Sequence, residues 1–324
     1  MEKSLKRECN HQGAALLIYK MIMSTSVTLV MLLGVMGALI DQMLNGVSDA
    51  DHLLQVFSEN LVNYASSGWG YLLAILIGIV ILLIWKKPSF FRNEILKKGR
   101  PMGIGGFFTI LCLFMGAQMI SQMGMSIMNI WMSLLGKDLN AFLESSAMDT
   151  NGFSMWLYVG LGAPVFEEIL FRGLLMRSLE PYGKRMAILV SALLFGFYHG
   201  NPVQAPYAAL VGLVLGYVAM EHNIVWAMVL HMFNNLIFAD AIPRLLQGFP
   251  MDVQNGIVYA LMAVFAVTAV VLLIVKRRQV MAAIRKDPIM PWQYNGAFLS
   301  PVLLVLVGSC VVDMALFVLM VLIA

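Results

Sequence analysis

The sequence predicts an all-α, polytopic membrane helix bundle of about eight to nine transmembrane helices with a cytoplasmic N-terminus. Three observations predict it. The 324 residues are 60% hydrophobic and only 12% charged, with a mean hydropathy of +0.82, whereas soluble domains run at about 45–50% apolar and about 25% charged. Long apolar runs recur along the chain, and a membrane helix needs about 20 such residues. No run alternates with period two, which excludes a β-barrel. A disordered chain is excluded as well, because it lacks apolar surface to bury.

The expected spans fall near 16–40, 68–85, 102–131, 154–176, 186–199, 204–220, 224–239, 257–275 and 298–324. The first follows a polar, basic start and carries no small-residue cleavage site, so it reads as a retained helix rather than a removed signal. The third is long enough to overrun the bilayer or to break near Gly124. The fifth to seventh are short, as tilted or bundle-buried spans allow. Polar loops are expected at 41–67, 137–153 and 240–256.

Charge orients the bundle. With the N-terminus inside, the segments 1–15, 86–101, 177–185, 221–223 and 276–297 carry 3, 6, 3, 0 and 5 Lys and Arg, 17 of the chain's 21. This is a strong positive-inside bias. Acidic outside loops around Asp41–Glu59 and Asp138–Asp149 agree with it. Lys20, near the inner end of its span, is expected to snorkel to the headgroups. The net charge of +3 does not suggest nucleic acid, and Cys9, Cys112 and Cys310 have no metal or redox spacing. The chain divides into N-terminal helices and loops at 1–153, a core at 154–240 that carries the informative residues, and C-terminal helices at 241–324.

An ionisable residue inside a bilayer is costly and usually faces a cavity or a partner. Nearly all of them lie in one stretch: Glu167, Glu168 and Arg172 in APVFEEILFRG, His199 in FGFYHGN, and His231, Asn234 and Asn235 in VLHMFNNLIF. Asp313 stands alone in the last span and is expected to pair with another polar group. At about 1.5 Å per residue, Glu167, His199 and His231 lie roughly 15, 20 and 10 Å from the inner ends of their spans, so tilt lets them meet.

Helix geometry sorts these residues. Residues four apart share a face and neighbours point about 100° apart. Glu168 and Arg172 are spaced for an ion pair, which serves either to lock the bundle or to support a site. Glu167 points elsewhere. His231 shares a face with Asn235, as does Phe195 with His199, while Asn234 is off that face and reads as structural. Pro164 is placed to kink the helix and free a backbone carbonyl. Gly200, Asn201 and Pro202 stop the helix after His199. One carboxylate, two imidazoles and a carboxamide suit peptide hydrolysis: a base for water and donors for an oxyanion. Glu167, His199 and His231 also match a catalytic zinc ligand count, so a divalent metal such as zinc is an open alternative.

Three patterns occur in order on successive spans: EExxxR at Glu167–Arg172, FxxxH at Phe195–His199 and HxxxN at His231–Asn235. Together they resemble the CPBP family of intramembrane proteases, which includes type II CAAX prenyl endopeptidases and bacterial proteins linked to bacteriocin self-immunity. The resemblance covers about 155–240. It implies a membrane-embedded peptidase in which Glu167 is the general base, working with His199 on the attacking water. His231 and Asn235 would stabilise the oxyanion, Glu168 and Arg172 would support the site, and Phe195 would pack beside it. It leaves a metalloprotease and a metal-free glutamate mechanism both open. The expected partners are a membrane-associated peptide or protein substrate and the lipid bilayer, in a bacterial plasma membrane. No HExxH, GxGD or GxSG motif points to another intramembrane protease class. The alternatives are a non-catalytic immunity or regulatory partner and, last because no repeat is visible, a transporter.

Overall fold

A computed structural model describes residues 1–97, 99–139 and 152–323. Those residues are helical almost throughout and contain no strand. Helices α1 (Glu2–Leu44), α2 (Ala50–Ala65), α3 (Trp69–Phe90) and α4 (Ile104–Leu134) make up the first part. The run α5 spans 153–179 and is followed by α6 (Lys184–Tyr198), α7 (Gln204–Glu221) and α8 (Ile224–Leu246). Helices α9 (Met251–Val275), α10 (Arg277–Lys286), α11 (Pro291–Phe298) and α12 (Pro301–Ile323) complete the chain.

Six of these, α1, α3, α4, α8, α9 and α12, are long and apolar enough to cross a membrane by themselves. The other three expected spans are helical but are interrupted (α5), short (α6) or less apolar (α7). They supply much of the buried core, including Phe166, Phe171, Leu174, Val190, Phe195, Val211 and Leu215. The surface around them is unlike a soluble protein's: Leu32, Leu33 and Met36 on α1, Val264, Val267 and Val271 on α9, and Val305, Val312 and Leu316 on α12 all lie exposed. This is an integral membrane protein, whose outer apolar side chains face lipid.

Several local expectations change. The segment 41–67 is not a loop: Asp49 Oδ2 accepts the His52 N–H at 3.0 Å and caps α2, which packs on α1. The 240–256 connection shrinks to a few residues between α8 and α9. Helix α4 runs unbroken through Gly124. The 137–153 loop and its acidic part at 138–149 lie mostly outside the described residues.

All five segments expected on the inner side meet at one end of the bundle. Ser4 and Tyr182 share a hydroxyl hydrogen bond of 2.8 Å. Lys97 pairs with Glu180 at 3.8 Å. The Arg100 N–H donates to the Glu221 carbonyl at 3.0 Å, and the Arg185 N–H to Asp287 Oδ2 at 3.0 Å. At the other end Gly68 N–H donates to Ser154 Oγ and Trp156 Nε1 to Asp240 Oδ2. The charge pattern thus reads out as real proximity.

Lys20 departs from expectation. Its ammonium does not snorkel outward but meets Asp313 Oδ2 at 2.5 Å and Ser309 Oγ at 3.0 Å, tying α1 to α12. In an apolar surround a partner for each charge outweighs a longer reach to the headgroups.

Candidate active site

The site is framed by α5, α6 and α8. Helix α5 alternates between α and π geometry: π at Tyr158–Gly162, α at Ala163–Glu168, π at Ile169–Met176. Such π-turns recur at functional sites, and Pro164 gives the first one a chemical consequence. The Ala163 N–H goes back five residues to the Tyr158 carbonyl. Pro164 has no N–H to give the Val159 carbonyl, which is left without a donor from either residue. Asn235 Nδ2 on α8 donates to that carbonyl at 2.8 Å. This is the freed carbonyl that the proline predicted, and it anchors a candidate site residue.

The two adjacent glutamates separate as helix geometry requires. Glu168 turns into the protein and is fully buried with Arg172, whose Nη1 donates to its Oε1 at 3.0 Å. Arg172 Nη2 also donates to the Gly212 carbonyl on α7 at 3.3 Å. Glu168 Oε1 then meets His231 Nδ1 at 3.1 Å. An ionised carboxylate only accepts, so Nδ1 carries the hydrogen and Nε2 is turned toward Glu167, 3.9 Å from its Oε2. Glu167 faces the cavity with its side chain 25% exposed.

His199 closes α6. Gly200, at φ 61°, turns the chain back where only glycine is comfortable, and Asn201 Oδ1 caps the start of α7 by accepting the Val203 N–H at 2.9 Å. His199 Nδ1 donates to the Phe195 carbonyl one turn back at 2.7 Å. A carbonyl only accepts, so this bond fixes the tautomer and leaves Nε2 as the free acceptor. The Phe195 ring stands edge-on to both imidazoles, at centroid distances of 4.8 Å to His199 and 5.8 Å to His231. Its face lies 4.3 Å from the Arg172 guanidinium. One aromatic ring therefore spaces three of the polar groups. Helix α7 backs α6 closely because Gly196 and Gly212 have no Cβ; one added to Gly196 would sit 2.6 Å from the Ala205 carbonyl oxygen.

Glu167, His199, His231 and Asn235 all line one cavity of about 370 Å³, with Phe195 in its wall. Glu168 and Arg172 stand behind it. Three side chains complete the arrangement: Gln118 and Tyr207, which the sequence did not single out, and Asn234, which it read as structural. Asn234 donates to Asn235 Oδ1 at 3.0 Å, and accepts at its own Oδ1 from Gln118 Nε2 at 2.5 Å and Tyr207 Oη at 3.3 Å. Asn234 thus holds Asn235 in orientation, and the polar Gln118 within the apolar third span was the signal for it. Tyr19 and Met23 of α1, Tyr71 and Ile75 of α3, and Phe114 of α4 also wall the cavity, so it extends beyond the 154–240 segment.

Among the described residues no three His, Cys, Asp or Glu side chains gather closely enough to hold one ion. Glu167, His199 and His231 share one cavity, and with both Nδ1 atoms bonded to protein acceptors each imidazole keeps its Nε2 for a proton, a water or a metal.

The fold and cavity define a polytopic membrane bundle in which carboxylate, imidazole and carboxamide side chains converge on one cavity. Residues 149–237 match a protein-family model described as type II CAAX prenyl endopeptidase Rce1-like. That match covers roughly a quarter of the chain, includes all three motifs and bears out the resemblance to the CPBP family; the family is one of proteases. No curated protein and no solved structure matches the chain.

Proposed function

We propose that this protein is an intramembrane endopeptidase that hydrolyses a peptide bond of a membrane-associated peptide or protein, using glutamate-activated water. The observation that carries this reading is the convergence of Glu167, His199, His231 and Asn235 on one cavity. Segment 154–240 is the catalytic core, and α1, α3 and α4 before it supply further walls.

Glu167 takes a proton from a water molecule, with His199 Nε2 accepting the other hydrogen bond of that water. The resulting hydroxide adds to the peptide carbonyl carbon. The carbonyl oxygen becomes an oxyanion, which accepts from the second Nδ2–H of Asn235, the first being held by Val159. When doubly protonated, His231 adds its Nε2–H to the same oxyanion. Glu167 then passes its proton to the amide nitrogen, the C–N bond breaks, and an amine and a carboxylic acid leave. Glu168 and Arg172 act through His231, and Asn234 through Asn235. They are positioning residues.

We place this activity in a bacterial plasma membrane, with the basic segments on the cytoplasmic side. The purified protein in liposomes, offered a peptide library, is expected to cleave members that partition into the bilayer, and Glu167→Ala is expected to stop it. Undiminished cleavage by Glu167→Ala would sink the role given to that carboxylate.

A further inference from the structure

Helix α10 is used by nothing in the site. All ten of its residues, RRQVMAAIRK from Arg277 to Lys286, are exposed. Helical spacing puts Val280, Met281 and Ile284 on one side, with Arg277 in the first turn at its head, and Arg278, Arg285 and Lys286 on the other. The apolar three are 41%, 47% and 38% exposed, and no described element covers them. A helix turned wholly to water would gain nothing from that segregation.

Its position supplies the missing partner. Helix α10 begins two residues after the lipid-exposed α9 ends, at the basic end of the bundle. Its other end is fixed there: Arg185 Nη1 donates to the carbonyls of Ile284 at 2.6 Å and Asp287 at 2.9 Å, and Asp287 Oδ2 accepts the Arg185 N–H. An amphipathic, basic helix tethered at the basic end of a lipid-exposed span is of the kind that lies in the interface, apolar side in the acyl region and cations among anionic headgroups.

We propose that α10 is a binding surface for anionic lipid. Arg278, Arg285 and Lys286 take the phosphate groups, and Val280, Met281 and Ile284 insert beneath them. Because Arg185 belongs to α6, the helix that ends at His199, the lipid surface is latched to an element of the candidate site. The inference does not depend on proteolysis, and its test does not read it.

The full-length protein would carry a photo-crosslinking residue at position 280 or, as a control, at 282 on the opposite side. It would be placed in bilayers of phosphatidylcholine alone or with phosphatidylglycerol. Illumination is expected to give lipid adducts at 280 and few at 282. Phosphatidylglycerol adducts are expected to exceed their share of the bilayer, and Arg278→Glu with Arg285→Glu should remove the excess. Each basic residue near a charged leaflet changes partition by about fivefold, so losing two is readily seen. Equal adducts at both positions, indifference to phosphatidylglycerol, or adducts in native membranes that form only with a soluble protein would overturn the proposal.

Discussion

Replacing Arg172 by methionine removes one charge from a pair in which neither side chain is exposed. Breaking a buried pair from one side costs about 3–5 kcal/mol, because the remaining charge is left uncompensated. The lower end applies here: His231 Nδ1 still donates to Glu168 Oε1 at 3.1 Å and keeps one bond to the carboxylate. The bond to the Gly212 carbonyl and the contact with the Phe195 ring are lost as well. We expect a loss of about 3 kcal/mol for Arg172→Met. The double variant Glu168→Gln with Arg172→Met has no stranded charge and should return to within about 1 kcal/mol of the parent. Its hydrolysis should stay low, since His231 then leans on a neutral amide. Unfolding by denaturant titration in mixed micelles gives the energies, and a double-mutant cycle gives the coupling. A single variant as stable as the parent, or a double variant no better than the single, would refute the reasoning.

Asn234→Ala should lower kcat by about tenfold with little change in KM, because it frees Asn235 to turn, and should cost about 1–3 kcal/mol of stability because Gln118 and Tyr207 lose their acceptor. Pro164→Ala restores an N–H that competes with Asn235 for the Val159 carbonyl; activity should fall while stability holds or rises, read by turnover and melting of the same sample. Gly200→Ala forces a Cβ into a φ of 61° and to 3.1 Å from the Asp313 Cβ. It should cost about 1–2 kcal/mol in the same denaturant titration.

The helical class, the polar stretch and the pairing of Glu168 with Arg172 were legible because each rests on spacing along one helix. The freed carbonyl beside Pro164 was legible for the same reason, although its receiver, Asn235, lies 76 residues away. What lay beyond reach depends on tertiary meetings. Lys20 and Asp313 are 293 residues apart, and only the packing of α1 on α12 joins them. Asn234 seemed off the active face because an ideal α-helix was assumed. The π-helical run that begins there at Asn234–Ala241 widens the turn, and both asparagines reach the cavity.

The most direct test is hydrolysis of a membrane-inserted peptide in water enriched in oxygen-18, with the parent and Glu167→Gln compared. The account predicts oxygen-18 in the new C-terminal carboxylate for the parent and no cleavage for Glu167→Gln, which keeps the shape but cannot take the proton. Cleavage at an undiminished rate by Glu167→Gln, or a product without label from the solvent, would contradict it.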